Sequence, residues 1–175
     1  MTVKKEIGNV MDAGLLLGRV VLGLLMAAHG SQKLFGWFGG YGLAGTGGFL
    51  ESLGFRPGRF FAAAAGFSEV AGGLLVALGL LGPLGSALII SVMIVAIATV
   101  HISHGLFAQN NGIEVPLLYA VGSAAIALIG NGAYSLDAAL GLSWPAEVVW
   151  IALGLGVIGG FANLALRRAP AAAHA

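Results

Sequence analysis

The chemistry open to this chain rests on a few ionisable side chains set in apolar sequence: Arg19, His29, Lys33, Glu69, His101 and His104, with Glu114 at the edge of an apolar stretch. Imidazoles titrate near neutral pH and pass protons, while a lysine ammonium stabilises an oxyanion as it forms. At about 100° per residue, Arg19, His29 and Lys33 fall within roughly 80° of one helical face. His101 and His104 are three apart and share a face as well. With His29 and the carboxylates, that pair offers imidazole and oxygen donors of the kind metals take. Paired histidines at the end of a membrane helix are more often interface residues, however, so a metal or haem site is disfavoured. Two readings stay open. The residues form a ligand or proton-relay pocket, or they form a structural network in which Lys33 or Arg19 neutralises Glu69.

Composition explains why so few positions matter. Of 175 residues, 58% are hydrophobic, 9% are charged and 30 are glycine; mean hydropathy is +0.97. Soluble domains carry about 25% charged residues. A chain so poor in charge cannot cover the surface of a water-soluble globule, which excludes a soluble enzyme and a disordered chain alike. Net charge of +1 provides no basic field for nucleic acid. The absence of cysteine excludes disulfides, thiolate metal sites and a thiol relay within these residues. The class is an all-α, polytopic membrane bundle.

A spanning helix needs roughly 20 mostly apolar residues. Residues 13–34, 59–81, 84–104, 115–130 and 145–166 qualify as candidates. Gly82-Pro83 breaks the charge-free run between Glu69 and His101 into a helical hairpin. Glu114 and Pro116 suit the first turn of the fourth span. The fifth is apolar all round, which favours spanning over lying at the interface. The domain reading is a tail over 1–12, a four-helix core over 13–137, an additional C-terminal transmembrane helix over 138–168 and a flexible tail over 169–175. Loop 35–58, re-entrant or interfacial, carries Phe35, Trp37, Phe38 and Tyr41 among glycines, the composition of an interface belt. A short helix is expected over 46–53. Gly14-x-x-x-Gly18, Ala62-x-x-x-Gly66 and Gly156-x-x-x-Gly160 have the spacing that lets helices pack closely in lipid.

Helix order then sets depth. His29 and Lys33 close the first span, and Glu69 lies in the first half of the second. The hairpin turns on the opposite side, so His101 and His104 return to the Glu69 side, where Glu114 opens the fourth span. Those six residues can share one membrane half. Arg19 lies nearer the other face and reads as a structural intramembrane charge.

The stretch His29-Gly30-Ser31-Gln32-Lys33-Leu34-Phe35-Gly36, with Arg19 before it and Gly39-Gly40-x-Gly42 after, resembles the opening of the DoxX family. The resemblance continues through Glu69-Val70-Ala71-Gly72-Gly73, the helix from Met93 to His101, Gly105-Leu106-Phe107 and Asn111-Gly112-x-Glu114. It ends with Gly130-x-Gly132-Ala133-Tyr134-Ser135-Leu136-Asp137. It implies a small integral membrane protein with a four-helix core, multi-pass in the plasma membrane of a prokaryote; the fifth span lies outside that core. Proteins of this kind include a subunit of an archaeal thiosulfate:quinone oxidoreductase, and others are associated with superoxide dismutase and a thiosulfate sulfurtransferase. His29, Lys33, Glu69, His101 and Glu114 fall on the family's motif positions.

Three functions compete. The first is a membrane component of a redox, oxidative-stress or sulfur-metabolism system, with a polar pocket for a quinone or small ligand. The second is a non-catalytic scaffold that anchors partner redox enzymes, and the third a small-solute transporter. Whether the chain is a quinone-linked oxidoreductase subunit, and whether it self-associates, stay open at this stage. With five spans, an outside N-terminus and inside C-terminus put Lys33, Arg56, Arg59, Arg167 and Arg168 on the cytoplasmic side, as positive-inside counting prefers; with only four spans, both termini would be cytoplasmic and both basic ends satisfied.

Overall fold

The computed structural model describes residues 2–168, with side chains from Lys5 onward. The side chain of Lys4 and the tail 169–175, expected to be flexible, lie outside the described residues. The first helix, α1, runs Thr2–Phe35, so the stretch expected as a separate tail is helical from Thr2. It stops at Gly36, whose φ of +73° is the left-handed conformation that glycine adopts freely. A short 3-10 turn follows at Trp37–Gly39, and α2 covers Gly42–Ser52, beginning earlier than the expected 46–53.

Helix α3 (Gly58–Leu78) and α4 (Leu84–Ala96) form the expected hairpin, turning through Gly79, Leu81 and Gly82, all with positive φ. Beyond Ala96 the backbone continues as a π-helical turn, Ile97–His101, and a 3-10 turn, Ile102–His104. Helix α5 (Glu114–Ile129) ends at Gly130, a single turn α6 (Leu136–Ala139) follows, and α7 covers Ala146–Ala165. Among the described residues, α1, α3, α4 with its extension, and α7 are each long and apolar enough to cross a membrane. The C-terminal helix thus has the length and apolarity of a full span, and α5, with 16 residues, falls short of that length.

Lipid supplies no hydrophobic drive between helices, so packing depends on how closely backbones approach. The α1–α3 seam runs through Gly23 and Gly30 on one helix and Gly66 and Gly73 on the other. A methyl group at any of these four would meet the facing helix. Gly156 and Gly160 seat α7 on Ala87, Ser91 and Ile94 of α4 in the same way. Gly14 and Gly18 correct the sequence reading: nothing approaches either one, and both lie on an exposed face of α1. Spacing alone does not say which side of a helix has a neighbour. The interior holds Met26, Val76, Ile89, Met93 and Ile126, with a second cluster of Ile90, Ala127 and Leu153 beside α7. Outward faces present Leu17, Leu24, Phe67, Val121, Ile151 and Leu155, an apolar exterior that fits a bilayer rather than water.

Candidate functional site

Two helices build the centre of the site. Lys33, in the last turn of α1, reaches the carboxylate of Glu69, midway along α3, and its Nζ donates to both oxygens. The glycine seam makes this meeting feasible, because it holds the two helix axes close just before Lys33. Glu69 is 1% exposed and Lys33 32%, so the acid is sealed in the bundle while the base keeps one side open. A buried charge is tolerated only with a partner, and this pair satisfies that demand internally.

Around the pair lies a cavity of about 250 Å³, lined by Met26, His29, Glu69, Met93, His101 and Tyr119 among others. The His29 ring sits edge-on to Tyr119 on α5, centroids 5.6 Å apart. His101 is at the end of the π-helical turn, and its Nδ1 lies 2.7 Å from the Asn111 carbonyl. A carbonyl only accepts, so Nδ1 donates, and Nε2 of the neutral ring is left as a proton acceptor. A second cleft of about 620 Å³ adjoins the first, roofed by Gly39, Gly40, Tyr41, Thr46 and Phe49 from the loop and α2. His29 and Lys33 line both spaces. Gln32 ties the roof to α1 by donating to the Phe38 carbonyl at 3.1 Å.

The structure therefore brings together His29, Lys33, Glu69 and His101, and it leaves His104 and Glu114 out of the cavity lining. Past His101 the chain leaves the π-helical turn for a 3-10 turn, and the exposed His104 ring folds back on the Val100 carbonyl at 2.8 Å. The uniform helical spacing that put both histidines on one face does not hold there. Glu114 accepts from the Ala108 backbone N–H at 2.8 Å and thereby closes the loop 105–113. Among the described residues no group of three His, Asp or Glu is arranged to hold a metal. Tyr119 is the member that sequence reasoning missed; a lone phenol in an apolar span, facing the histidine-bearing helix, was its only signal.

A second polar cluster occupies the opposite end. Arg19 is fully buried and donates from Nη2 to the Tyr134 carbonyl. Asp137, also buried, supplies the opposite charge. Its carboxylate accepts from Leu81 N and Gly82 N at 2.8 and 2.7 Å, and from Asn131 Nδ2 and Trp144 Nε1 at 2.8 Å each. One side chain thus fastens the α3–α4 hairpin to the α5–α7 connection. Gly79 serves this cluster twice: its φ is +63°, and a side chain there would displace the Arg19 guanidinium.

No curated protein and no solved structure matches the chain. The family model for DoxX matches residues 14–102, about half of the chain, from the start of α1's apolar stretch to the residue after His101. That match contains Arg19, His29, Lys33, Glu69 and His101, and it ends before α5 and α7. The chain is an integral membrane protein of the DoxX family.

Proposed function

We propose that the protein is the membrane component of a redox system, acting in oxidative-stress defence or sulfur metabolism in a prokaryotic plasma membrane, and that its polar pocket takes a quinone headgroup. The observation that carries this reading is the shared wall of His29 and Lys33 between the inner cavity and the outer cleft. The outer cleft alone is in the range of about 300–1,000 Å³ typical of small-molecule sites, and the inner cavity places ionisable groups at its base. Reduction of a quinone to a quinol takes up two electrons and two protons. Lys33 would offset negative charge developing on a quinone oxygen, while His29 and His101 would relay protons. The two electrons would come from a reductant handled by a partner enzyme at the membrane surface, such as two thiosulfates oxidised to one tetrathionate. Candidates are enzymes of the superoxide dismutase or sulfurtransferase type, with which similar proteins are associated.

The test is equilibrium binding of a short-chain ubiquinone analogue to the purified protein in mild detergent. Saturable binding, weakened about tenfold in folded His101→Ala, is expected. Absence of saturable binding, together with partner enzymes that still co-purify after His29, Lys33 and His101 are replaced, would leave a purely anchoring role instead.

A further inference from the structure

We infer that the end of the bundle carrying the site also holds a binding place for one anionic phospholipid, its headgroup on an arginine collar and one acyl chain between α3, α4 and α7. Four arginines separated in sequence lie at this end. Arg56 and Arg59 flank the start of α3, and the end of α7 brings Arg167 and Arg168 to the same turn. Arg167 Nε donates to the Leu53 carbonyl, and the Arg168 backbone N–H donates to the Gly54 carbonyl at 2.9 Å. All four side chains are exposed, and among the described residues none of them makes a salt bridge. The carboxylate at the start of α3 is engaged by the backbone: Glu51 accepts from Gly58 N at 2.9 Å. The collar is thus an excess of guanidinium groups, which match a phosphate in shape and charge.

Directly beneath it is a narrow slot of about 90 Å³ lined by Phe55, Phe61, Ala65 and Ser68 on one side and by Val92 and Val95 of α4 on the other. Its one amide, Asn163, is turned to its own helix, with Nδ2 donating to the Gly159 carbonyl at 2.9 Å. Asn163 on the slot wall comes one helical turn, about 6 Å, before Arg167 at 1.5 Å per residue, and Phe55 on the opposite wall adjoins Arg56. A phosphate at the collar therefore sets the first carbons of an acyl chain at the slot. Charge selects the headgroup, and the slot explains why the ligand is a lipid rather than a free anion.

Native mass spectrometry of the detergent-purified full chain tests this, with phosphatidylglycerol and phosphatidylcholine of identical acyl chains added in turn. Retention of phosphatidylglycerol should exceed that of phosphatidylcholine by roughly tenfold. Arg167→Gln with Arg168→Gln should abolish most of that preference. Because this pair also anchors α7, Arg56→Gln with Arg59→Gln is the second variant; it leaves the anchor intact and should lower the preference severalfold. Ala65→Phe, which fills the slot, should weaken both lipids equally. Equal retention of the two lipids, or a preference unchanged in both arginine pairs, overturns the collar; undiminished retention in Ala65→Phe overturns the slot.

Discussion

Lys33 and Glu69 are 36 residues apart in sequence, yet the lysine Nζ bonds both oxygens of the one carboxylate, and the two partners differ sharply in their access to surroundings. Glu69 is 1% exposed and Lys33 is 32% exposed. Removing either partner should therefore have unequal effects. Without Lys33 the carboxylate is stranded in the bundle, and Lys33→Met should cost about 3–5 kcal/mol. In Glu69→Gln the lysine stem can swing its ammonium toward the open cleft, so the loss should be about 1–3 kcal/mol. Thermal unfolding in detergent measures both, and the double variant should be less damaged than Lys33→Met alone.

At the opposite end, Asp137→Asn keeps the size of the side chain but removes the charge that faces Arg19 and replaces an accepting oxygen by a donor. We expect a loss of about 3–5 kcal/mol and faster proteolysis within 130–145, read by limited digestion followed by mass spectrometry. An unchanged digestion pattern would show that the hairpin is fastened by other contacts.

Helix packing offers a paired test. Gly73→Val places a branched side chain against the backbone of Gly23 and Ala27 and should prevent a stable fold, read as loss of a monodisperse elution peak. Gly14→Val meets nothing and should change stability by no more than about 0.5 kcal/mol.

Tyr119→Phe removes one hydroxyl from the cavity and keeps the edge-on ring contact with His29. Affinity for the ubiquinone analogue should fall about tenfold, the worth of one hydrogen bond of about 1–1.5 kcal/mol, with the unfolding temperature unchanged. A variant that binds as well as the parent would remove Tyr119 from the site.

Orientation follows from where the arginines gather. Arg56, Arg59, Arg167 and Arg168 lie at the end bearing Lys33 and outnumber Lys4 and Lys5 at the other, so positive-inside counting predicts a cytoplasmic location for the arginine end. Reporter fusions after Lys33 and at the C-terminus should both be active only as cytoplasmic reporters.

Much of this arrangement was legible in the sequence. Gly82-Pro83 marked the hairpin, Glu114 and Pro116 marked the start of α5, and together they set the order of helices that carries His101 back toward Glu69. What was not legible has a local cause. The π-helical turn at Ile97–His101 alters the helical register with no breaker residue to announce it, so the sequence could not show that His104 leaves the face of His101. Asp137 read only as the end of a motif, because its four donors come from Leu81, Gly82, Asn131 and Trp144, two of them distant backbone groups. Of the glycine seam only Gly66 was named as a packing residue from the sequence, because Gly23 and Gly30, like Gly66 and Gly73, are seven residues apart rather than four.

The shortness of α5 has a consequence for the membrane itself. Sixteen residues rise about 24 Å, about 6 Å less than a typical hydrocarbon layer. Lipids beside this helix must compress or tilt to match it. Pro116 and Tyr119, in the first turns of this helix, line the inner cavity, so a change in its tilt reaches the pocket. Varying acyl-chain length in proteoliposomes should then tune the pocket, with thicker bilayers straining the protein at α5 first.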